Sequence, residues 1–322
     1  MAKILITGGV GLIGSYLIES LAQSSHSITV IDDLSRGRKE YLPEGCKHIK
    51  ACIENINALE LGRFDIVIHL ASFMFGIGFA NKNHQRLYVQ NIRMNNSMIQ
   101  YIAENTPDRF IFVSSSCVYP DDGPDVIVEE TPLGHFPELA NIGYGFAKRH
   151  MEDCLRMEAM LHGFELCIMR PFNIYGERYH WAGDLSQAIP MLVNKVMTQQ
   201  RVDVWGSGLQ RRNYVHASDA AEIIRLVSLS RTHIPLLNIG NERTVTLNLL
   251  TQKIGRAAGL DIEIHNDITK PEGRFVKSCE DGLMHQHFPE FQYSVPLDEG
   301  LLRMIDWWRR EMHDFYESAE RH

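Results

Sequence analysis

The feature of this sequence that most constrains its fold is the glycine-rich run TGGVGLIGS near its start. It follows the apolar segment 2–7 and leads into segment 11–23, whose apolar residues have helical spacing. Gly8 suits a sharp turn, Gly11 leaves room for a pyrophosphate at the helix N-terminus, and Gly14 lets the helix approach the strand. A strand, a glycine loop and a helix in this order predict a dinucleotide-binding fold.

The second strand-like segment, 27–32, places acidic side chains about 20 residues after the glycine loop. Asp32 and Asp33 stand at its end, where a carboxylate would hydrogen-bond the adenine ribose. The same carboxylate would repel the 2′-phosphate of NADP. We therefore expect NAD as the cofactor, while the nearby Arg36 leaves NADP open.

Further strand-like apolar segments alternate with helix-like ones at 65–71, 109–116, 166–176 and 236–240. Such strands, nearly continuous in apolar residues, are typical of a parallel sheet that is covered on both faces. The alternation weakens after residue 176. We predict an α/β fold: a Rossmann-type doubly wound parallel sheet with a smaller, mostly C-terminal α/β substrate domain.

These patterns also suggest a division of the chain into two domains. The NAD-binding domain would comprise residues 1–172, with a return segment at 213–241. The substrate domain would comprise residues 173–212 and 242–322.

Composition excludes several classes of function. The net charge of −8 provides no basic field for nucleic acid, so we expect no nucleic-acid partner. No run of about 18 apolar residues predicts a membrane span. The six cysteines lack CxxC pairs, which suits a cytoplasmic protein, and the 15 histidines show no metal-site spacing. We therefore expect neither a membrane nor a metal.

Two segments carry residues suited to proton transfer. Tyr144 and Lys148 are four residues apart in a helix-like stretch, so both side chains would project from one face. A neighbouring ammonium lowers the pKa of a phenol and makes it a better base. Ser114, Ser115, Ser116 and Cys117 follow a predicted strand, at the sheet edge where α/β proteins bind ligands.

Taken together, TGGVGLIG, VIDDLSRG, DIVIHLAS, VSSSCVYP, YGFAK, RPFNIYG and WGSGLQRRNYVHASDAA resemble the extended short-chain dehydrogenase/reductase family of nucleotide-sugar enzymes. The resemblance implies catalytic roles for Ser115, Tyr144 and Lys148. It implies that NAD is contacted by Gly8, Gly11, Leu12, Ile13, Gly14, Asp32, Asp33, Ser35, Arg36, Leu70, Ala71, Ser72, Asn91, Ser114, Tyr144, Lys148 and Pro171. It implies that the nucleotide-diphosphate sugar is contacted by Ser116, Asn173, Gln187, Arg212 and Arg274, with Arg211 as a neighbouring candidate.

The SSSCVYP segment is most similar to GDP-fucose synthase and GDP-mannose 3,5-epimerase, in which the cysteine is an acid/base beside a 4-keto carbon. Cys117 would do the same work here, or it is only a small buried residue. Those enzymes carry a second titrating residue, His or Lys, where this chain has Gln187 and Ala188, neither of which titrates. Tyr179, His180 and Asp184 are candidates to replace it.

The resemblance implies an NAD-dependent epimerase that acts through a transient 4-keto sugar. The alternatives are an NAD(P)H-dependent reductase or epimerase-reductase of a 4-keto sugar, and a dinucleotide sensor without catalysis. The family also implies a homodimer, formed through the helix-like segments 88–104 and 144–162.

Overall fold

The computed structural model describes residues 1–178 and 185–312. Its strands are β1 (Lys3–Thr7), β2 (Ser27–Asp32), β3 (Lys47–Lys50), β4 (Ile66–His69), β5 (Arg109–Val113), β6 (Val126–Ile127), β7 (Glu165–Pro171), β8 (Ile174–Tyr175), β9 (Arg201–Trp205), β10 (Arg211–Asn213), β11 (Val215–His216), β12 (Leu236–Ile239), β13 (Thr244–Thr246), β14 (Glu263–Asp267) and β15 (Val276–Cys279). Its α-helices are α1 (Leu12–Ala22), α2 (Ile77–Ala80), α3 (His84–Glu104), α4 (Ile142–His162), α5 (Ala188–Thr198), α6 (Ala217–Leu229), α7 (Leu247–Ala258), α8 (Gly282–His287) and α9 (Leu297–Trp307).

Seven strands form one sheet in the order β12-β7-β5-β4-β1-β2-β3, and every pair is parallel. The chain order reverses between β1 and β4, which places a ligand-binding crevice at their carboxyl ends. All of the predicted strand segments contribute to this sheet, so the predicted Rossmann-type α/β fold is confirmed. The sequence analysis did not identify β3, a half-buried edge strand with a single apolar residue, Ile49.

Helices cover both faces of the large sheet. On one face, α1 and α6 bury apolar residues such as Leu17 and Ile224 against the large sheet. On the other face, α3 and α4 bury residues such as Met98 and Leu155. Because the central strands lie between these two layers, their side chains are apolar on both faces, and the alternation typical of a solvated sheet is missing.

The remaining elements form smaller units. One sheet of four strands has the order β13-β10-β15-β6, and β11-β8 and β14-β9 form two-stranded sheets. Helices α5, α7 and α9 pack around a separate core, whose members include Val204, Leu250 and Met304. Trp307 and Trp308 are buried in this core.

The two predicted domain ranges interleave in space. Strand β6, from the range assigned to NAD binding, pairs with β15 from the range assigned to substrate binding. Met284 and Phe291 belong to the same core cluster as α1 and α6, although they lie in the second range. The division into two domains therefore stays a prediction. Within the part of the chain that the structure describes, no helix is long and apolar enough to cross a membrane.

Candidate active site

The glycine loop forms a cradle between β1 and α1. Gly8 has φ +71°, a conformation that favours glycine. A Cβ added to Gly14 would lie 2.3 Å from the carbonyl oxygen of Gly8, so a side chain here would push the helix away. A Cβ on Gly11 would meet only that carbonyl, at 3.3 Å. The space beside Gly11, at the N-terminus of α1, is therefore open to an anionic group of a ligand.

Asp32 lies at the carboxyl end of β2, beside this cradle. Its carboxylate accepts hydrogen bonds from the backbone N–H groups of Val10 at 3.2 Å and Leu34 at 2.9 Å. Burial raises the pKa of Asp32, while these two hydrogen bonds lower it. The Arg36 guanidinium donates to the carbonyl of Met74 and therefore ties the β2 loop to the loop after β4.

A cavity of about 600 Å³ runs from the glycine loop to α5 and α7. It is lined by most of the residues predicted for the site: Gly8, Gly11, Leu12, Ile13, Gly14, Asp32, Asp33, Ser35, Arg36, Leu70, Ala71, Ser72, Ser114, Ser115, Ser116, Cys117, Tyr144, Pro171, Asn173, Gln187 and Arg212. Asn91, Lys148 and Arg274 are not among the lining residues. The predicted NAD and substrate residues thus share one continuous space.

Tyr144 lies near the middle of this cavity, in the first turn of α4. The side chains of Ser72 and Ser115 lie near its hydroxyl and lower its pKa. Burial and the neighbouring Cys117 have the larger effect and raise the pKa of Tyr144 above its ordinary value. In this structure the phenol is neutral, and the lowering that the sequence analysis expects from Lys148 is not seen.

Lys148 lies one turn further along α4, behind Tyr144. Its Nζ atom is 5.6 Å from the centroid of the Tyr144 ring and donates a hydrogen bond to the carbonyl of Val113 at 2.8 Å. Burial lowers the pKa of Lys148 to about 7, which is why its charge does little for the phenol. The predicted pair is therefore adjacent, but Lys148 faces the end of β5.

The four residues after β5 have different partners. Ser115 Oγ accepts a hydrogen bond from the N–H of Cys117 at 3.1 Å, which fixes the turn Ser116–Val118. Ser114 Oγ donates to Glu152 at 2.6 Å. Glu152 is itself paired with Arg170 behind the cavity. Ser114 thus connects the site to a buried ion pair.

Two predicted contacts are placed differently by the structure. Asn91 uses its side-chain amide on backbone, because Oδ1 accepts from the N–H of Phe73 and Nδ2 donates to the carbonyls of Phe73 and Leu87. Arg274 donates to the carbonyls of Pro120, Gly123 and Pro124. Both therefore shape loops that border the cavity, and neither lines it.

The far part of the cavity contains the polar groups predicted for the substrate. Arg212 leaves β10 toward the cavity and donates to the carbonyls of Arg211 and Phe275 at 2.8 and 3.1 Å. Asn173 Nδ2 donates to Asn213 at 3.2 Å. The neighbouring Arg211 is exposed and donates to Thr244 Oγ1, so it does not line the cavity. The candidates Tyr179, His180 and Asp184 lie outside the described residues.

Beyond Arg212 the cavity ends among Trp205, Leu247 and Gln210. The Gln210 amide donates through Nε2 to the carbonyl of Trp205 at 2.8 Å. Its Oε1 atom is buried and has no hydrogen-bond partner among the residues that the structure describes. An apolar end with one open acceptor fits a flat ligand group that carries an N–H.

Sequence analysis missed two charged residues in the cavity. Glu138, six residues before Tyr144, and Lys277, in β15, both line it and form a buried ion pair. Lys277 stands in the segment KPEGRFVKS, from which only Arg274 was selected. The strand at 276–279 has only four residues and is buried at three consecutive positions, so its pattern does not single out Lys277. Across residues 1–178 and 185–312, no group of three or more His, Cys, Asp or Glu side chains is arranged to hold a metal ion.

Comparison with known proteins agrees with this geometry. The model of the NAD dependent epimerase/dehydratase family matches residues 4–240. The chain is 27% identical to GDP-mannose 3,5-epimerase from Arabidopsis thaliana, over 96% of this chain and 82% of that protein. It is 26% identical to a putative UDP-glucose 4-epimerase from Methanocaldococcus jannaschii, over 95% of this chain and 98% of that protein.

A solved structure shares the fold. UDP-glucose 4-epimerase from Thermotoga maritima, determined with UDP-glucose, superposes with a TM-score of 0.83 at 24% identity, over 96% of this chain and 99% of that one. The glycine cradle and Asp32 fit NAD, the cofactor of the family, in agreement with the sequence-based prediction. The family model covers most of the chain, and this protein belongs to the NAD dependent epimerase/dehydratase family.

Proposed function

We propose that this protein is an NAD-dependent epimerase of a nucleotide-diphosphate sugar that acts through a transient 4-keto sugar. The observation that carries the proposal is the position of the Tyr144 hydroxyl. It lies beside Ser115 inside one cavity that joins the glycine cradle to Arg212. A dinucleotide on one side and a sugar nucleotide on the other would meet at this hydroxyl.

In the proposed reaction, Tyr144 accepts the proton of the C4 hydroxyl, and Ser115 holds the same oxygen through a hydrogen bond. NAD supplies the chemistry of taking up a hydride from C4 and giving it back. Lys148 stays behind Tyr144, where the end of β5 fixes its ammonium. The carbonyl that forms acidifies the C–H bonds on both neighbouring carbons.

Arg212 and Asn173 would bind the diphosphate, because a guanidinium and an amide at one point of an otherwise acidic protein suit a doubly charged anion. The Trp205–Gln210 end would take the nucleotide base, whose N–H groups match the open Gln210 acceptor. The substrates named for the relatives, GDP-mannose and UDP-glucose, support this class of ligand. Gln187 also lines this part of the cavity.

The second candidate is a one-way reductase of a 4-keto sugar, with or without an epimerising step. It is favoured by Cys117, which lines the cavity next to Lys277 and Glu138, as expected if a proton is exchanged beside the carbonyl. The two candidates differ in how they treat the cofactor. An epimerase regenerates NAD in every cycle, whereas a reductase must exchange it.

The test is to denature the purified protein and to identify the nicotinamide that it releases. Near-stoichiometric NAD, together with epimerisation of an added sugar nucleotide without added cofactor, would support the epimerase. An empty site that binds NADH or NADPH reversibly, with reduction of an added 4-keto sugar, would replace it by the reductase.

We further propose a homodimer formed through α3 and α4. Large apolar side chains are exposed on these helices, namely Tyr88, Met157, Met160 and Leu161. Burying such a surface against a second copy would remove it from water. Sedimentation of the wild type and of Met160→Lys tests this, since the substitution should shift the species toward the monomer.

A further inference from the structure

Three residues from distant parts of the chain meet at the cavity wall. Cys117 follows β5, Glu138 precedes α4 and Lys277 lies in β15. Their exposed fractions are 6%, 5% and 6%, yet all three line the cavity. Lys277 Nζ lies 2.7 Å from Glu138 Oε2 and 3.6 Å from Cys117 Sγ.

Apolar residues at these three positions would stabilise the folded protein at least as well as this cluster does. Removing a carboxylate and an ammonium from water is unfavourable, and their mutual attraction often does not offset this cost fully. An ion pair that is buried, contacts a thiol and lines a cavity is more typical of a proton-transfer site than of a structural ion pair. The backbone strengthens the arrangement, because the N–H of Glu138 donates to the carbonyl of Cys117 at 3.2 Å.

The charges of the cluster explain its resting state. Burial raises the pKa of Cys117 to about 12, although Lys277 lowers it. Burial alone would raise the pKa of Glu138. Lys277 and the Cys117 thiol have a larger, opposite effect, and the pKa is lowered to about 2. Burial lowers the pKa of Lys277, and the two acidic partners outweigh this and raise it. At rest the cluster therefore contains a thiol, a carboxylate and an ammonium.

The net charge of the cluster stays zero when the thiol proton moves to Glu138. The products are a thiolate next to the Lys277 ammonium and a neutral carboxylic acid. No uncompensated charge is buried in either state, so the transfer does not add the cost of an isolated buried charge. Other ionisable groups that act on the three residues are Tyr144 and Lys148 from α4, Arg212 from β10 and Arg274 before β15.

We propose that Glu138 and Lys277 are positioning residues that let Cys117 exchange a proton with a sugar carbon next to C4. This inference rests on the proposed function, because only a 4-keto sugar has such an acidic C–H bond. The C–H proton moves to sulfur, and its electron pair moves into the carbonyl to give an enolate. The proton later returns from sulfur to the carbon, and Glu138 returns its own proton to the thiolate.

The geometry limits the outcome to one face of the sugar. Cys117 Sγ and Lys277 Nζ are 3.6 Å apart, so neither can approach the face of the ring opposite to the other. At the position of the second acid in similar enzymes stands Gln187, which does not titrate. The cluster by itself therefore exchanges the proton without inverting the carbon.

Alkylation of Cys117 tests the positioning roles without any substrate. The purified full-length protein is treated with iodoacetamide across a pH series, and alkylation of the Cys117 peptide is followed by mass spectrometry. Because thiolate reacts and thiol does not, a change of one pKa unit changes the rate about tenfold below the pKa. Cys154, half-buried on α4, is an internal control in each sample.

Opposite effects are expected for the two partners. Lys277→Met should slow alkylation of Cys117 at least about tenfold, and Glu138→Gln should accelerate it at least about tenfold. Lys277→Arg, which keeps the charge, should stay within about threefold of the wild type. Changes in the same direction for both variants, or no change, would overturn the proposal, since loosened packing would expose the thiol in either case.

Solvent exchange then links the cluster to the sugar. GDP-mannose and UDP-glucose are the probes, each incubated with the protein in D₂O. The wild type and the control Cys279→Ser should incorporate deuterium at a carbon next to C4, and Cys117→Ser should not. Hydride transfer without any incorporation in the wild type would disprove the exchange step. Absence of hydride transfer to or from every sugar nucleotide would refute the proposed function, and the alkylation result would still decide the roles of Glu138 and Lys277.

Discussion

Arg212 and Lys277 lie directly opposite each other on the adjacent strands β10 and β15, so both cationic side chains leave this sheet on one face. Lys277 is paired with Glu138, whereas among the residues that the structure describes Arg212 donates only to backbone carbonyls. The charge of Arg212 is therefore the one best placed to meet an anionic ligand. Lys277 serves the inner part of the same cavity.

We predict that Arg212→Met raises KM for a sugar nucleotide about 10- to 100-fold with a smaller effect on kcat. A charge-assisted hydrogen bond to phosphate contributes about 1.5–3 kcal/mol, and it binds substrate and transition state alike. Steady-state kinetics measures the effect. Arg211→Met is the matched control, because Arg211 is on the exposed face, and it should stay within about twofold. Equal losses in both variants would contradict the assignment.

Tyr144→Phe should lower kcat by about 10²- to 10⁴-fold, the usual contribution of a positioned acid–base group. Binding of NAD should change less than about threefold, since the ring and its packing are kept. Turnover and NAD titration are measured on the same preparation. The control is Tyr88→Phe, an exposed tyrosine on α3. If Tyr144→Phe retained full turnover, another group would be the base. A wild type that binds NAD and turns over no sugar nucleotide would instead favour the sensor.

Lys148→Met should stabilise the protein at neutral pH. Burial lowers the pKa of Lys148 from 10.5 in the unfolded chain to about 7 in the folded protein. Between these two pH values Lys148 is protonated in the unfolded chain and neutral in the folded protein, so a falling pH favours unfolding of the wild type. The stability that the variant gains over the wild type should thus grow as the pH falls through this range, by about 1–3 kcal/mol.

Urea unfolding at neutral and at alkaline pH measures this difference. The loss of the hydrogen bond to Val113 opposes the gain equally at both pH values, so the change with pH is the decisive quantity. A difference that is independent of pH would show that Lys148 keeps its ordinary pKa in the folded protein. Lys253→Met, at a surface ion pair with Asp298, is the control and should show little change with pH over neutral values.

Two glycines of the cradle should separate cofactor binding from folding. Gly11→Ala should leave the melting temperature nearly unchanged and weaken NAD binding at least about tenfold, because its methyl group would enter the open space of the cradle. Gly14→Ala should destabilise the protein itself by several kcal/mol, since its Cβ would lie 2.3 Å from the Gly8 carbonyl. Thermal unfolding and NAD titration distinguish them, with Gly282→Ala, which has open space, as control. A similar loss of stability in both variants would contradict this reading of the loop.

The central sheet was predictable because most of its strands are apolar and buried on both faces, and because their order follows from the Rossmann pattern. The strands β6 and β3 were not predicted, since β6 has only two residues and β3 has one apolar residue among four. The cavity residues from the glycine loop to Cys117 were located by local motifs. Glu138 and Lys277 were missed because their meaning depends on a contact between residues 139 positions apart.

Asn91 and Arg274 show the complementary limit. A polar or basic residue in a motif indicates that its side chain has a partner, and it does not say whether the partner is a ligand or a backbone carbonyl. Here both side chains form hydrogen bonds with backbone groups. The direction of the pKa shift of Tyr144 could not be predicted from the sequence either. Burial raises this pKa, and burial depends on how the site is packed.

The pairing of β6 with β15 has a consequence for the order in which the chain acquires its chemistry. Lys277 is synthesised 160 residues after Cys117 and 139 residues after Glu138. A growing chain that ends before β15 already contains the glycine cradle and Tyr144, but its carboxylate and thiol lack their counter-ion and cannot be buried as a charge-balanced group. Assembly of the proton-exchange cluster is thus a late event of biosynthesis, and the reactive thiol is completed only when the last strand of the small sheet is in place.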